Sequence, residues 1–327
     1  MMGAMPQARS AFLQPRLDRL EQRLHQLLQS DVEFIHLIND DLVSAGGKRF
    51  RPGIVFSVFE LLAGEDDRTF EQQVDLAAAV ELLHSATLLH DDLIDDADLR
   101  RGHQAAFRKY GNAVSVLSGD FMLSRVLQIL SELPAAITRE FADTARDICE
   151  GEVLQFQTAA LGDYGLERYY RIVTSKTAAL LRTAATVPGM LLGLDSEGLA
   201  ALRTFGLELG RAFQIQDDLL DLIADPEKLG KPVGGDLREG KVTLPLLLLF
   251  GTPAEAELRL LIDRRISQPG DLERVLALLR EAGTPQEVRR QIQLHAEAAS
   301  AALAAFPPSP ARSALLELAR SASLRVS

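Results

Sequence analysis

Tryptophan is absent from this 327-residue chain, tyrosine occurs four times, and aromatic residues make up only 6% of it. Strand-type alternation rich in β-branched and aromatic residues is missing as well, so a sheet-based core has little to be built from. A single cysteine, Cys149, excludes an internal disulfide, suits a reducing compartment, and is expected as a small apolar residue in the core. The six histidines lack metal-ligand spacing: His25, His36, His103 and His295 read as surface or core residues, and His90 as a group that orients its neighbours. Basic residues are outnumbered, 35 Lys and Arg against 46 Asp and Glu, for a net charge of −11. That balance argues against a nucleic-acid partner and against electrostatic docking on anionic lipid. The longest apolar run, Leu244 to Phe250, falls far short of the roughly 20 residues that span a bilayer. The N-terminus lacks the basic-then-apolar layout of a signal peptide, and neither a Pro/Gly/Ser linker nor a low-complexity tract divides the chain. The expectation is one domain over residues 1–327, cytoplasmic and without a transmembrane segment.

What is abundant is alanine and leucine, both strong helix formers, within a hydrophobic fraction of 47%. The pattern predicts an all-α bundle. In 285–304, Val288, Ile292, Ala299 and Leu303 share one stripe, with Glu287, Arg290 and Gln291 largely opposite. Leu76 to Ile94 is apolar nearly all round, which marks a helix at the centre of a bundle; Leu207 to Ile223 is similar, interrupted by Glu208 and Arg211. Breakers at Gly46-Gly47, Gly102, Pro188-Gly189, Pro232 and Gly251–Pro253 are expected to separate helices.

Each of the two apolar helices ends in the same acidic pattern. Asp91-Asp92-Leu93-Ile94-Asp95 and Asp217-Asp218-Leu219-Leu220-Asp221 share one DDxxD spacing. Residues i and i+4 lie on one helix face a turn apart, so each copy projects at least two carboxylates in one direction. A solvated face explains one such cluster; two, each in an apolar setting, call for neutralising cations. All-oxygen ligands that leave room for water and phosphate suit Mg2+ better than zinc or copper. Cationic residues flank both clusters: Lys48, Arg49 and Arg51 beside Gly46-Gly47, Arg100-Arg101 after the first cluster, and Lys231 and Lys241 in the Gly-rich loop after the second. Arg offers a planar fork and Lys a point charge to phosphate oxygens, so the layout implies two diphosphate sites, one reached through metal and one bound directly.

The stretches GGKRFRP (46–52), ELLHSATLLHDDLIDDADLRRG (81–102), GEVLQFQ (151–157), SKTAAL (175–180) and FQIQDDLLDLIADPEKLGKPVGGDLREGKVTLP (213–245) together resemble the trans-polyprenyl diphosphate synthases of the isoprenyl diphosphate synthase family. One departure stands out: where that family usually has a Pro-Thr pair after Arg100-Arg101-Gly102, this chain has Gln104 and Ala105. The resemblance implies a helical bundle around a large central cavity and head-to-tail condensation of an allylic diphosphate with isopentenyl diphosphate. It also implies about three Mg2+ ions and a homodimer. Asp91 and Asp95 are assigned to the first metals and Asp217 to the third, with Asp92, Asp218 and Asp221 supporting them directly or through water. Arg100, Lys176, Lys231 and Lys241 are the implied contacts to the allylic diphosphate, and Lys48, Arg51, His84 and Arg101 the implied holders of isopentenyl diphosphate. Thr177 and Gln214 are the implied oxygen dipoles beside the allylic cation; no dedicated general base is visible, and the released diphosphate is the implied proton acceptor. Asp96 and Asp98 are expected to face solvent.

Product length follows from where Asp91 sits. If it stands at the cavity mouth, Thr87, Ala86 and Leu83 line the wall about 6 to 12 Å below, at a rise of 1.5 Å per residue. In the family, aromatics at the fourth or fifth position before the first Asp stop the chain early; Thr87 and Ala86 leave the upper cavity open and favour a long-chain product. The alternative at these positions is plain packing against a neighbouring helix. Alternatives for the whole chain are a farnesyl- or geranylgeranyl-length synthase, a terpene cyclase, and a non-catalytic partner subunit. A cyclase normally replaces the second DDxxD, and a regulatory subunit would have lost carboxylates or basic residues; this chain keeps both sets.

Overall fold

The structure, a computed structural model, describes residues 12–44, 49–64, 68–96, 98–100, 103–224 and 233–324. It is 81% helical. The helices in chain order are α1 (Leu13–Leu27), α2 (Glu33–Ser44), α3 (Phe50–Ala63), α4 (Phe70–Ile94), α5 (Ala106–Tyr110), α6 (Asn112–Ser131), α7 (Ala135–Leu161) and α8 (Leu166–Val173). A five-residue π-helical turn, Thr174–Ala178, follows, and then α9 (Ala179–Leu191), α10 (Ser196–Ile223), α11 (Gly235–Arg238), α12 (Leu244–Leu247), α13 (Glu255–Asp263), α14 (Asp271–Glu281), α15 (Thr284–Ala302) and α16 (Pro310–Leu324). The all-α expectation holds. Among the described residues the only strand pairing is a two-residue antiparallel ladder, β1 (Leu99–Arg100) with β2 (His103–Gln104), in the connection after α4.

The two helices read as central are central. Helix α4 packs against α6, α3, α1 and α9, and α10 against α15, α9 and the π turn. Apolar residues all round α4 make this possible: Val74, Leu76, Ala77, Ala78, Ala79, Val80 and Leu82 are all buried. The α15 stripe also lies as the spacing predicts, with Val288, Ile292, Ala299 and Leu303 buried and Arg290 exposed. Helix α10 opens on Asp195, whose side chain accepts from Gly198 N at 2.8 Å and satisfies one of the free amides of the first turn.

Three local expectations are corrected. Pro188-Gly189 does not separate helices but lies inside α9. A proline there leaves one rung of the helix ladder unmade, a loss offset by the packing around it, and Gly189 is packed so closely that a Cβ would stand 3.0 Å from Leu202 Cδ1. Cys149 is exposed, because α7 turns Ile148 and Glu152 inward instead. Arg49 is not a free cation for substrate but a clasp: at left-handed φ 45° before α3, its guanidinium takes Glu21 of α1 at 2.6 and 2.8 Å and Glu81 of α4 at 2.8 Å. Among the described residues one helix, α6, is long and apolar enough to cross a membrane by length and composition. Its inner face is buried against α4, while Val116, Leu117 and Leu127 are exposed.

Candidate active site

Both acidic clusters occupy the C-terminal ends of the central helices, where the helix dipole is negative and a carboxylate is least welcome. The last bond of α4, Asp95 N to Asp91 O at 2.8 Å, stacks those two residues one turn apart. Asp91 and Asp95 are half-buried, Asp92 is buried, Asp217 is exposed, and Asp218 and Asp221 are buried. The exposed and half-buried positions are those that the family resemblance assigns to metal; the buried Asp218 and Asp221 are tied into the protein. Asp218 accepts from Tyr169 Oη at 2.6 Å and from Gln214 Nε2 at 2.7 Å. Burial, helped by the nearby Asp217 and Asp221 charges and opposed by those two hydrogen bonds, pushes its carboxyl up to about 6. Burial likewise raises the Tyr169 hydroxyl well above its ordinary value, so it stays a donor.

Asp221 holds the Gly-rich loop. Its carbonyl accepts from Gly234 N at 2.7 Å and its carboxylate from Asp236 N at 3.1 Å, and Asp236 O in turn accepts from Lys241 N at 2.8 Å. This tether delivers Lys241 across to the first cluster, where Nζ lies 3.1 Å from Asp95 Oδ2 and 2.6 Å from Glu239 Oε2. Burial works against the ammonium, yet Glu239 and Asp95 hold it above the usual lysine range. The loop tethered by Asp221 of the second cluster thus carries a cation onto Asp95 of the first.

One cavity gathers Lys176, Thr177, Gln214, Asp218 and Lys241, with Tyr169 and Asp236 in its wall. Lys176 and Thr177 reach it from the π turn. Lys176 Nζ sits 2.5 Å from Glu152 Oε2 of α7. Thr177 Oγ1 donates to Gln214 Oε1 at 2.7 Å, and Gln214 passes a hydrogen bond on to Asp218. A donor chain that ends on a carboxylate polarises every member, leaving the Thr177 oxygen richer in electrons. The turn is squeezed between two glycines. A Cβ on Gly151 of α7 would stand 2.9 Å from Lys176 N, and one on Gly210 of α10 would stand 2.5 Å from Ala178 Cα.

Other expected residues lie apart from that cavity. Arg51 is buried on α3 and His84 half-buried on α4. The expectations for Lys48, Arg101 and Lys231, and for the side chain of Arg100, lie outside the described residues. Of the residues proposed to line a product channel, Leu83 and Ala86 are buried in the core, whereas Thr87 is half-buried and donates to His84 O at 2.8 Å. The open wall expected at Ala86 is therefore packed in this structure, and Thr87 is the member of the trio with accessible surface. His90 bonds Val116 O at 3.2 Å across Gly119, where any Cβ would collide with its ring. Asp96 and Asp98 are exposed as expected, but both bind Arg108, at 2.8 and 2.9 Å, and so brace the turn after the first cluster. Sequence reading missed Tyr169, Glu152 and Glu239. Glu152 lies within GEVLQFQ and could have been suspected from its charge among apolar residues; Tyr169 left no signal.

Among the described residues no group of three His, Cys, Asp or Glu side chains is placed to hold a metal by itself. The carboxylates at the two helix ends are oxygen donors, the ligand type Mg2+ prefers when phosphate and water complete its shell. The donor set fits.

The sequence pattern of the polyprenyl synthetase family matches residues 32–279. The octaprenyl diphosphate synthase of Escherichia coli (strain K12) is 41% identical over 298 residues, covering 89% of this chain and 90% of that one. The all-trans-nonaprenyl-diphosphate synthase (geranyl-diphosphate specific) of Rhodobacter capsulatus is 36% identical over 310 residues, covering 94% of each chain. The crystal structure of a polyprenyl synthase from Caulobacter crescentus CB15, complexed with calcium and isoprenyl diphosphate, superposes with a TM-score of 0.88 at 38% identity and 95% coverage of both chains.

Proposed function

The chain belongs to the polyprenyl synthetase family, and from that premise we propose that it joins an allylic diphosphate to isopentenyl diphosphate, repeatedly, to give a long all-trans polyprenyl diphosphate. The observation that supports the reading is a cavity lined by Lys176, Thr177, Gln214 and Asp218 of the second cluster, into which Lys241, 3.1 Å from Asp95 of the first cluster, also reaches. Relatives named for octaprenyl and nonaprenyl diphosphate support the long product.

Lys176 and Lys241, with Arg100 and Lys231, bind the allylic diphosphate. Asp91, Asp95 and Asp217, backed by Asp92, Asp218 and Asp221, hold Mg2+, about three ions per site. When bound, the metal offsets the charge that builds on the departing diphosphate. The allylic carbon–oxygen bond breaks, and the electron-rich Thr177 oxygen, with Gln214 behind it, faces the cationic carbon left behind. Lys48, Arg51, His84 and Arg101 hold isopentenyl diphosphate so that its double bond forms the new carbon–carbon bond. A proton then leaves the adjacent carbon for the released diphosphate, which restores neutrality at the product. The protein acts as a single domain in the cytoplasm. A second copy of the chain covers the exposed Val116, Leu117 and Leu127 of α6, giving a homodimer.

The test is diphosphate release and product sizing with labelled isopentenyl diphosphate. Turnover requiring both substrates and yielding products beyond geranylgeranyl length is the expected result. Turnover of the allylic compound alone would mean a cyclase, and no turnover with either would mean a non-catalytic subunit.

A further inference from the structure

The π turn that carries Lys176 and Thr177 is locally unfavourable. An i→i+5 turn inserted into an α-helix breaks the regular ladder, and such turns persist where surrounding structure holds them. Gly151 and Gly210 fix the turn from two sides, but steric contact alone leaves it free to slide between the helices. A third hold comes from side chains that the proposed chemistry does not use. Arg211 of α10 donates from Nε to Thr174 Oγ1 at 3.0 Å, and Thr174 is the first residue of the turn. Arg211 NH1 is itself fixed by Glu208 Oε1 at 2.7 Å, one turn earlier on α10. The other Glu208 oxygen lies 2.6 Å from His295 Nδ1 on α15. The His295 ring also packs at 5.8 Å against Tyr170, in the helix that runs into the π turn.

These contacts form a continuous strut, His295–Glu208–Arg211–Thr174, from a peripheral helix to the start of the turn. Glu208 and His295 are both largely buried, with side chains 15% exposed, so the strut is shielded from solvent that would loosen it. None of its side chains lines the cavity that gathers Lys176, Thr177 and Gln214. We propose that Arg211, braced by Glu208 and His295, is a positioning residue that sets the height of Lys176 and Thr177 over the allylic diphosphate. The inference rests on the reading of Lys176 and Thr177 as substrate contacts.

Thr174→Val removes the acceptor while keeping the shape, and Arg211→Met removes the donor while keeping much of the volume. Each is expected to raise the KM for the allylic diphosphate roughly tenfold and to lower kcat, with the KM for isopentenyl diphosphate within about twofold of wild type. The double variant should be no worse than the worse single one, because both remove the same bond. Lys176→Ala serves as the control for the underlying site. If Lys176→Ala impairs the allylic KM while Thr174→Val and Arg211→Met leave it unchanged, the strut has no positioning role. A fall in thermal stability with both KM values moving together likewise overturns the proposal, since that is what a merely structural contact gives. If Lys176→Ala is itself silent, the site reading fails and the inference with it. Should Arg211→Met not fold, Thr174→Val decides alone.

Discussion

Replacing Gly210 with Ala tests how finely the reaction depends on the π turn. The added Cβ would stand 2.5 Å from Ala178 Cα and 2.7 Å from Ala178 Cβ. Ordinary carbon–carbon contact lies at about 3.5 to 4.0 Å, so α10 and the turn must part by about 1 Å. The opposing atoms are backbone and a methyl group, so no rotamer change absorbs the clash. Lys176 and Thr177 precede Ala178 by two residues and one, and the displacement reaches them almost undiminished. A misplacement of that size near reacting atoms costs on the order of 10²-fold in rate. Overpacking also costs about 1 to 3 kcal/mol of stability, which by itself says nothing about position. Gly206→Ala separates the two effects. Its Cβ would meet Leu181 O at 2.5 Å and Arg182 Cα at 2.7 Å, the same crowding one helical turn away, against α9 rather than the π turn. Steady-state kinetics and thermal unfolding on both variants should show similar drops in Tm, with the large loss of kcat confined to Gly210→Ala. Equal losses of kcat in the two variants would refute the reasoning.

Asp91→Ala or Asp217→Ala should lower kcat by on the order of 10³-fold or more at saturating Mg2+ with an unchanged circular dichroism spectrum; a rate within tenfold of wild type would remove either residue from the metal assignment. Arg49→Met leaves the Glu81 carboxylate buried without its guanidinium, and should cost about 3 to 5 kcal/mol in denaturant unfolding while the Michaelis constants of the folded fraction hold. Thr87→Phe places an aromatic at the half-buried position of the product-length trio and should shorten the products toward farnesyl or geranylgeranyl length; an unchanged size distribution would move the stop to another element. His295→Gln weakens a contact that helps hold Glu208 below its ordinary 4.5 against the opposing effect of burial. The stability Glu208 contributes is present above that ordinary value and lost as pH falls through the lower folded one. The acid limb of Tm against pH should therefore shift toward higher pH in His295→Gln, and an unmoved limb would mean the contact is idle.

The features legible in the sequence are those set by local periodicity. Asp91 and Asp95 share a helix face because of a four-residue spacing, and the same rule placed Val288 and Ile292 in the core. Burial of α4 and α10 followed from apolar residues all round. What stayed hidden depends on pairings that no local rule encodes. Lys241 meets Asp95 across 146 positions, and Arg49 reaches Glu21 and Glu81 across 28 and 32. Tyr169 finds Asp218 only because α8 is folded back onto α10, so nothing in its own neighbourhood marked it. Pro188 misled because a proline breaks a helix only where packing does not offset its lost amide bond, and that packing comes from residues distant in sequence. At Ala86, helix geometry gives the depth of a residue below Asp91 but not which neighbour fills the space beside it.

The π turn is the sharpest case. Its sequence, Thr174-Ser175-Lys176-Thr177-Ala178, is ordinary helix by propensity, and the shift from α to π is a change of one hydrogen-bond register. What selects the register lies elsewhere, in Gly151 and Gly210, which let two helices close on the turn, and in Arg211, which pins its first residue. An alanine at either glycine preserves helical propensity and every charge in the site while moving Lys176 and Thr177. A site of this kind is therefore specified twice: by the residues that touch substrate, which motifs reveal, and by small residues one layer behind, which only the packing reveals.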